Sequence, residues 1–109
     1  MKNENSHEWI KIEDDICTIG ISSNAKDELG EITNIMLPKI HQKVKKDQTI
    51  CILETVKSAI EIESPVSGIV IEINEKLKKN LNDLNEHPET TGWLFKIKAS
   101  SLKELERLK

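Results

Sequence analysis

At 109 residues, the chain has room for one domain with a modest core. Acids and bases are mixed along it and the net charge is only −3, so neither a basic nucleic-acid-binding face nor an acidic tail is written into it. Trp9, Trp93 and Phe95 are its only aromatic residues, which excludes a broad stacking platform, and no apolar run approaches the roughly 20 residues of a membrane span.

The first six residues, Met1-Lys2-Asn3-Glu4-Asn5-Ser6, have neither the apolar stretch of a secretory signal nor the Arg-rich character of a transit sequence, which predicts a cytoplasmic or already processed protein. Residues 9–13 alternate apolar and polar and read as a strand turning at Asp14-Asp15. Residues 17–21 follow as a second strand, with Cys17, Ile19 and Ile21 on one face. Ser23 is placed to cap a short helix over 24–29, stopped by Gly30. Residues 32–37 resume an extended path that Pro38 ends, and 49–56 form an unbroken apolar strand expected to be buried on both faces. Residues 60–63 and 69–73 alternate again, separated by a turn at Ser67-Gly68. Polar residues then dominate to position 91, where Leu77, Leu81 and Leu84 mark short helical turns. Residues 93–97 are the last strand, and Ser101-Leu102-Lys103-Glu104 is a capping box opening a terminal helix with Leu102, Leu105 and Leu108 on one face.

Short strands with brief helices after the second strand and at the C-terminus predict an all-β fold, a flattened barrel or sandwich, as a single domain over 1–109. Gly30 and Gly68, 38 positions apart, each open an extended segment followed by a polar stretch and another strand, a hint of two related sheet pairs. Cys17 and Cys51 sit inside apolar runs and read as buried free thiols. His7, His41 and His87 have no metal-type spacing, so no metal site is expected.

Lys57 lies between two predicted strands, in Glu54-Thr55-Val56-Lys57-Ser58-Ala59. Lysines at hairpin tips are ordinarily solvated turn residues. This turn, however, has no Gly, Asn or Asp, and it sets one amine apart from the basic cluster at 43–46, which suits a modification site.

That hairpin resembles the lipoylation hairpin of the glycine-cleavage H proteins. Ser64-Pro65-Val66-Ser67-Gly68, Asn85-Glu86-His87-Pro88 and Gly92-Trp93-Leu94-Phe95-Lys96-Ile97-Lys98-Ala99 follow in the family's order. Upstream, His7-Glu8-Trp9, Ile19-Gly20-Ile21, Leu29-Gly30-Glu31 and Leu37-Pro38 do the same, so the resemblance runs from about Ser6 to Leu105. It implies a lipoyl-domain-like fold and a carrier without catalysis of its own, bearing lipoic acid as an amide on Lys57. The implied partners are glycine decarboxylase (P protein), an aminomethyltransferase (T protein), dihydrolipoyl dehydrogenase (L protein) and a lipoate ligase or lipoyl transferase. The arm would take an aminomethyl group from the first, yield it at the second and be re-oxidised by the third.

The resemblance further implies that Glu54, three before the lysine, and Gly68, eleven after it, serve recognition by lipoylating enzymes, and that Ser6, Glu8, Glu28 and Glu61 line a cleft sheltering the loaded arm. Glu28 stands where relatives often carry His, His41 where they carry a turn glycine, and Asn34 and Glu89 where an aromatic is common. Two other readings remain beside the carrier: an H-like lipoyl relay or redox-responsive scaffold outside glycine cleavage, and a cofactor-free interaction module.

Overall fold

The alternating segments pair as antiparallel strands in a computed structural model, which describes residues 7–108. β1 (Glu8–Glu13) and β2 (Ile16–Ile21) form the first hairpin, turning through Asp14 at a positive φ of 56°. α1 (Ser23–Leu29) follows. Its cap is Ser22, one residue before the expected Ser23, because the Ser22 hydroxyl accepts from the Ala25 amide. Gly30 ends the helix at φ 81°, a left-handed position that glycine adopts without strain.

β3 (Ile32–Met36), β4 (Lys43–Val44), β5 (Thr49–Thr55), β6 (Ala59–Glu63) and β7 (Gly68–Ile73) come next. A 3-10 turn (Glu75–Lys78) and α2 (Asn82–Glu86) fill the polar stretch, so Leu77 and Leu84 lie in short helical turns as expected and are buried, while Leu81 falls just before α2 and is half-buried. β8 (Phe95–Ala99) begins two residues later than the sequence pattern placed it, and α3 (Leu102–Leu108) closes the chain.

The strands form two antiparallel sheets, ordered β1-β2-β8-β7-β4 and β3-β5-β6, that do not close into a barrel. The expected all-β sandwich-like fold is therefore present in its open form. The two glycine-led segments become one strand pair in each sheet, β3 with β5 and β7 with β8. Inward-facing Cys17, Ile19 and Ile21 meet Val70, Phe95 and Ile97 of their own sheet and Cys51, Leu53 and Ile62 of the other, in one buried cluster. Cys17 and Cys51 lie in different sheets and are free thiols. Burial pushes them up to about 11 and about 12, so both are protonated and inert near neutrality.

Three expectations about burial need correction. β5 is not buried on both faces: Cys51 and Leu53 point inward, Ile52 lies half-exposed on the outer face, and a bulge between Thr49 and Cys51 turns Ile50 inward. β7 also bulges, between Val70 and Glu72, so Val70 and Ile73 are buried while Ile69 faces out. Leu102 is 74% exposed, leaving Leu105 and Leu108 as the packed residues of α3.

The capping box is half formed. Ser101 Oγ accepts from the Glu104 amide, but the Glu104 carboxylate reaches instead to the Ser67 amide at 2.7 Å and the Ser67 hydroxyl at 3.2 Å. That bond ties α3 to the turn leading into β7.

Candidate functional site

Lys57 occupies the tip of the β5–β6 hairpin, exposed together with Val56, Ser58 and Ala59. Two-residue hairpin turns usually need positive φ at one or both central positions. Neither Val56 nor Lys57 has one; among the described non-glycine residues only Asp14, His41 and Asp47 do. Thr55 accounts for the difference. Its amide donates to the Ser58 carbonyl at 2.8 Å, and its hydroxyl accepts from the Ser58 amide at 3.1 Å and the Lys57 amide at 3.3 Å. A side-chain oxygen thus holds two turn amides, and no glycine is required. No ion pair or side-chain bond engages the Lys57 ammonium among the described residues.

Cross-strand partners share a face of a sheet. Asn34, Glu54 and Ala59 form one row across β3, β5 and β6, and Met36, Ile52 and Glu61 form the next. Both rows lie on the outer face, opposite buried Leu53 and Ile62. Glu54 is fixed there by Asn34, whose Nδ2 donates to its Oε1 at 2.6 Å. Glu61 accepts from the Thr49 hydroxyl at 2.9 Å. Glu54 and Glu61 are thus diagonal neighbours on one surface.

The other candidates are more scattered. Glu8 pairs with Ile21 and lies on the inward side of β1, half-buried at the end of its sheet. Glu28 is exposed near the end of α1, four residues before Ile32, which pairs with Thr55 beside the hairpin tip. Ser6 lies outside the described residues. Gly68 belongs to the five-stranded sheet rather than the hairpin's sheet. A β-carbon there would stand 2.1 Å from the Lys98 carbonyl oxygen, so close backbone packing requires this glycine.

Sequence reading missed the supporting contacts. Asn85 donates to the Ile32 carbonyl and accepts from the Ile32 amide, standing in for a neighbouring strand at the edge of β3. Glu89 accepts from the Ser23 amide at 2.7 Å, joining the loop before β8 to the start of α1. Trp9 lies over Gly20 and donates its indole N–H to the Pro88 carbonyl. His41 adopts φ 74°, the left-handed geometry expected at a turn-glycine position. No group of His, Cys, Asp or Glu among the described residues is arranged to hold a metal, and no helix among them is long and apolar enough to cross a membrane.

Comparison with known proteins identifies the family of the chain. The family model described as glycine cleavage H-protein matches residues 1–109. The chain is 40% identical over 107 residues to the glycine cleavage system H protein of Thermotoga maritima, covering 98% of this chain and 86% of the relative. It is 44% identical over 108 residues to glycine cleavage system H protein 3, mitochondrial, of Arabidopsis thaliana, covering 99% of this chain and 65% of that one. Its fold resembles the crystal structure of a glycine cleavage system H protein from Mycobacterium marinum, with TM-score 0.81 and 26% identity over 87% of this chain and 80% of that one. The chain belongs to the glycine cleavage H-protein family, the lipoyl carriers of the glycine cleavage system.

Proposed function

We propose that this H-protein carries its lipoyl group on Lys57 and serves as the tether between the enzymes of glycine cleavage. The observation carrying the assignment is the isolated amine at the tip of a hairpin whose turn is held by Thr55. The exposed neighbours Val56, Ser58 and Ala59 leave room for an acyl chain, and the ammonium has no carboxylate partner among the described residues. Attachment takes the lipoate carboxyl in an activated form. Lys57 Nζ gives up one ammonium proton and bonds to the carbonyl carbon; as the adduct collapses the activating group leaves with the bonding electron pair and a second N–H proton is lost, so a neutral amide replaces a positive charge.

When bound, lipoate supplies a dithiolane that accepts and yields an aminomethyl group and cycles between disulfide and dithiol. The protein's own residues position that chemistry. Thr55 fixes the turn, and Glu54, oriented by Asn34, offers a carboxylate to the modifying enzyme. Glu8, on the inward side of β1, together with Glu28 and Glu61 supplies carboxylates for holding a cationic loaded arm. Glycine decarboxylase, aminomethyltransferase and dihydrolipoyl dehydrogenase are the successive partners in this reading, and the carrier itself catalyses no step.

Intact-mass analysis of protein from its native cell tests the assignment. A lipoyl adduct is expected on the wild type and absent from Lys57→Arg. Full-length protein without adduct, or an adduct retained in the variant, overturns it. Loading with glycine and a cognate decarboxylase then separates the glycine-cleavage carrier from a lipoyl relay, since only the former acquires the aminomethyl mass.

A further inference from the structure

We propose that the outer face of the three-stranded sheet is the docking surface for the enzyme that attaches lipoate, which meets it with an apolar contact ringed by basic side chains. This rests on the assignment of Lys57 above.

Among the described residues, the centre of this face is left open to solvent. Met36 is 56% exposed and Ile52 half-exposed, side by side in one cross-strand row. An exposed methionine beside a branched aliphatic residue is an adaptable apolar contact of the kind enriched in interfaces. Glu54, Glu61 and Glu63 share the face, since Glu63 pairs with Thr49 and follows Glu61 by two positions. Three glutamates with no lysine or arginine among the paired residues give this one face as much formal negative charge as the whole chain, −3. None of the three is in an ion pair among the described residues. Charge of one sign around an apolar centre favours a partner of opposite sign and steers its approach.

Reach selects which partner. An unmodified lysine is short, so the attaching enzyme must seat itself on the surface next to the hairpin, whereas enzymes acting later can meet the end of a long arm from other positions. β5 and β6, the arms of that hairpin, build this face, and Asn34 holds Glu54 at the edge nearest the tip. The outer face of the five-stranded sheet offers no such pattern. Lys11, Thr18, Lys96 and Glu72 lie in one row of mixed charge, with Lys96 already placed against Trp93 and Glu72.

The test is steady-state lipoylation of the full apo chain by a lipoate ligase given lipoate and ATP, followed by intact mass. In Met36→Ser/Glu61→Gln/Glu63→Gln the KM for the carrier is expected to rise about ten-fold with kcat unchanged. Raising the salt should increase the wild-type KM and move that of the variant much less. Lys11→Gln/Glu13→Gln, on the opposite sheet, should behave as wild type. If the triple variant does not fold, Glu63→Gln alone should still raise KM, and an unchanged value there overturns the proposal. A triple variant within two-fold of wild type overturns it as well, as does an equal KM rise in the opposite-sheet control. Self-association of wild type that Met36→Ser abolishes would reassign the face to a second copy of the chain. If wild type gains no adduct at Lys57, the parent assignment fails; if wild type is modified normally and only the KM difference is missing, the docking surface alone fails.

Discussion

The two sheets spend their outer surfaces differently. On the five-stranded sheet, Ile69 is exposed between lysines but the other outward groups engage one another: Trp9 covers Gly20 and bonds Pro88, and Lys96 sits 5.1 Å from the centroid of Trp93 and pairs with Glu72. On the three-stranded sheet, Met36 is left bare and the glutamates have neutral partners or none among the described residues. One sheet closes the fold, while the other carries the hairpin and faces outward for something else. A small domain has little surplus stability to share between such tasks, so separating them by sheet lets each be altered with little effect on the other.

Substitutions can break this division. The largest effect is expected at Gly68→Ala, where the new β-carbon meets the Lys98 carbonyl; a loss of about 3 kcal/mol should appear as a lower urea midpoint. Ala59→Val, on the exposed hairpin arm, should stay within about 0.5 kcal/mol. A comparable loss at both sites would erase the distinction.

Asn85→Ala tests whether the three-stranded sheet depends on its border with the rest of the fold. Removing an amide that serves both backbone groups of Ile32 should cost about 2 kcal/mol and speed hydrogen exchange of the Ile32 amide before that of β8. Uniform exchange across both sheets would place the weak point elsewhere.

Cys51→Ala should cost about 1 kcal/mol at neutral pH, with a further signature in alkali. Burial raises the Cys51 thiol from 9.0 to about 12, so the folded chain keeps a proton that the unfolded chain releases. Stability from this source is complete below pH 9 and is lost as pH climbs from there toward 12. The variant should therefore lose less stability than wild type between pH 8 and 10.5, measured by urea midpoints; parallel curves would contradict the burial argument.

Apart from the Ala59→Val control, the smallest effect on stability is expected at Thr55→Val. Losing the hydroxyl that holds two exposed turn amides should cost under about 1 kcal/mol, yet lower the rate of Lys57 modification. A large stability loss would mean that the hairpin supports the core.

The strands were readable in the sequence because period-two alternation is a direct imprint of a half-buried pleat, and Cys17, Ile19 and Ile21 fall on the inner face it indicates. The bulges in β5 and β7 were not readable. An extra residue changes which side chains are inside without changing composition, so Ile50 and Ile69 look alike in the sequence and part company in the fold. At the site, Lys57 stood out by its unusual turn and by resemblance. The partners of Glu54 and of Ile32 did not, because Asn34 is 20 positions and Asn85 53 positions away from them along the chain. Glu104 shows the same limit. Its spacing from Ser101 fits a capping box, but its carboxylate is drawn to Ser67, 37 positions distant.

The threonine-held turn bears on how far a tether can be aimed. A glycine turn would let the anchor point wander, and the volume explored by an attached chain would swell with it. With the amides of Lys57 and Ser58 held by one hydroxyl, the pivot stays put, and an arm attached at Lys57 as proposed above would sweep from a fixed root. The free end is then confined to a dome centred on a fixed point, and the local concentration it presents to a docked enzyme is set by the length of the arm rather than by the wobble of its root.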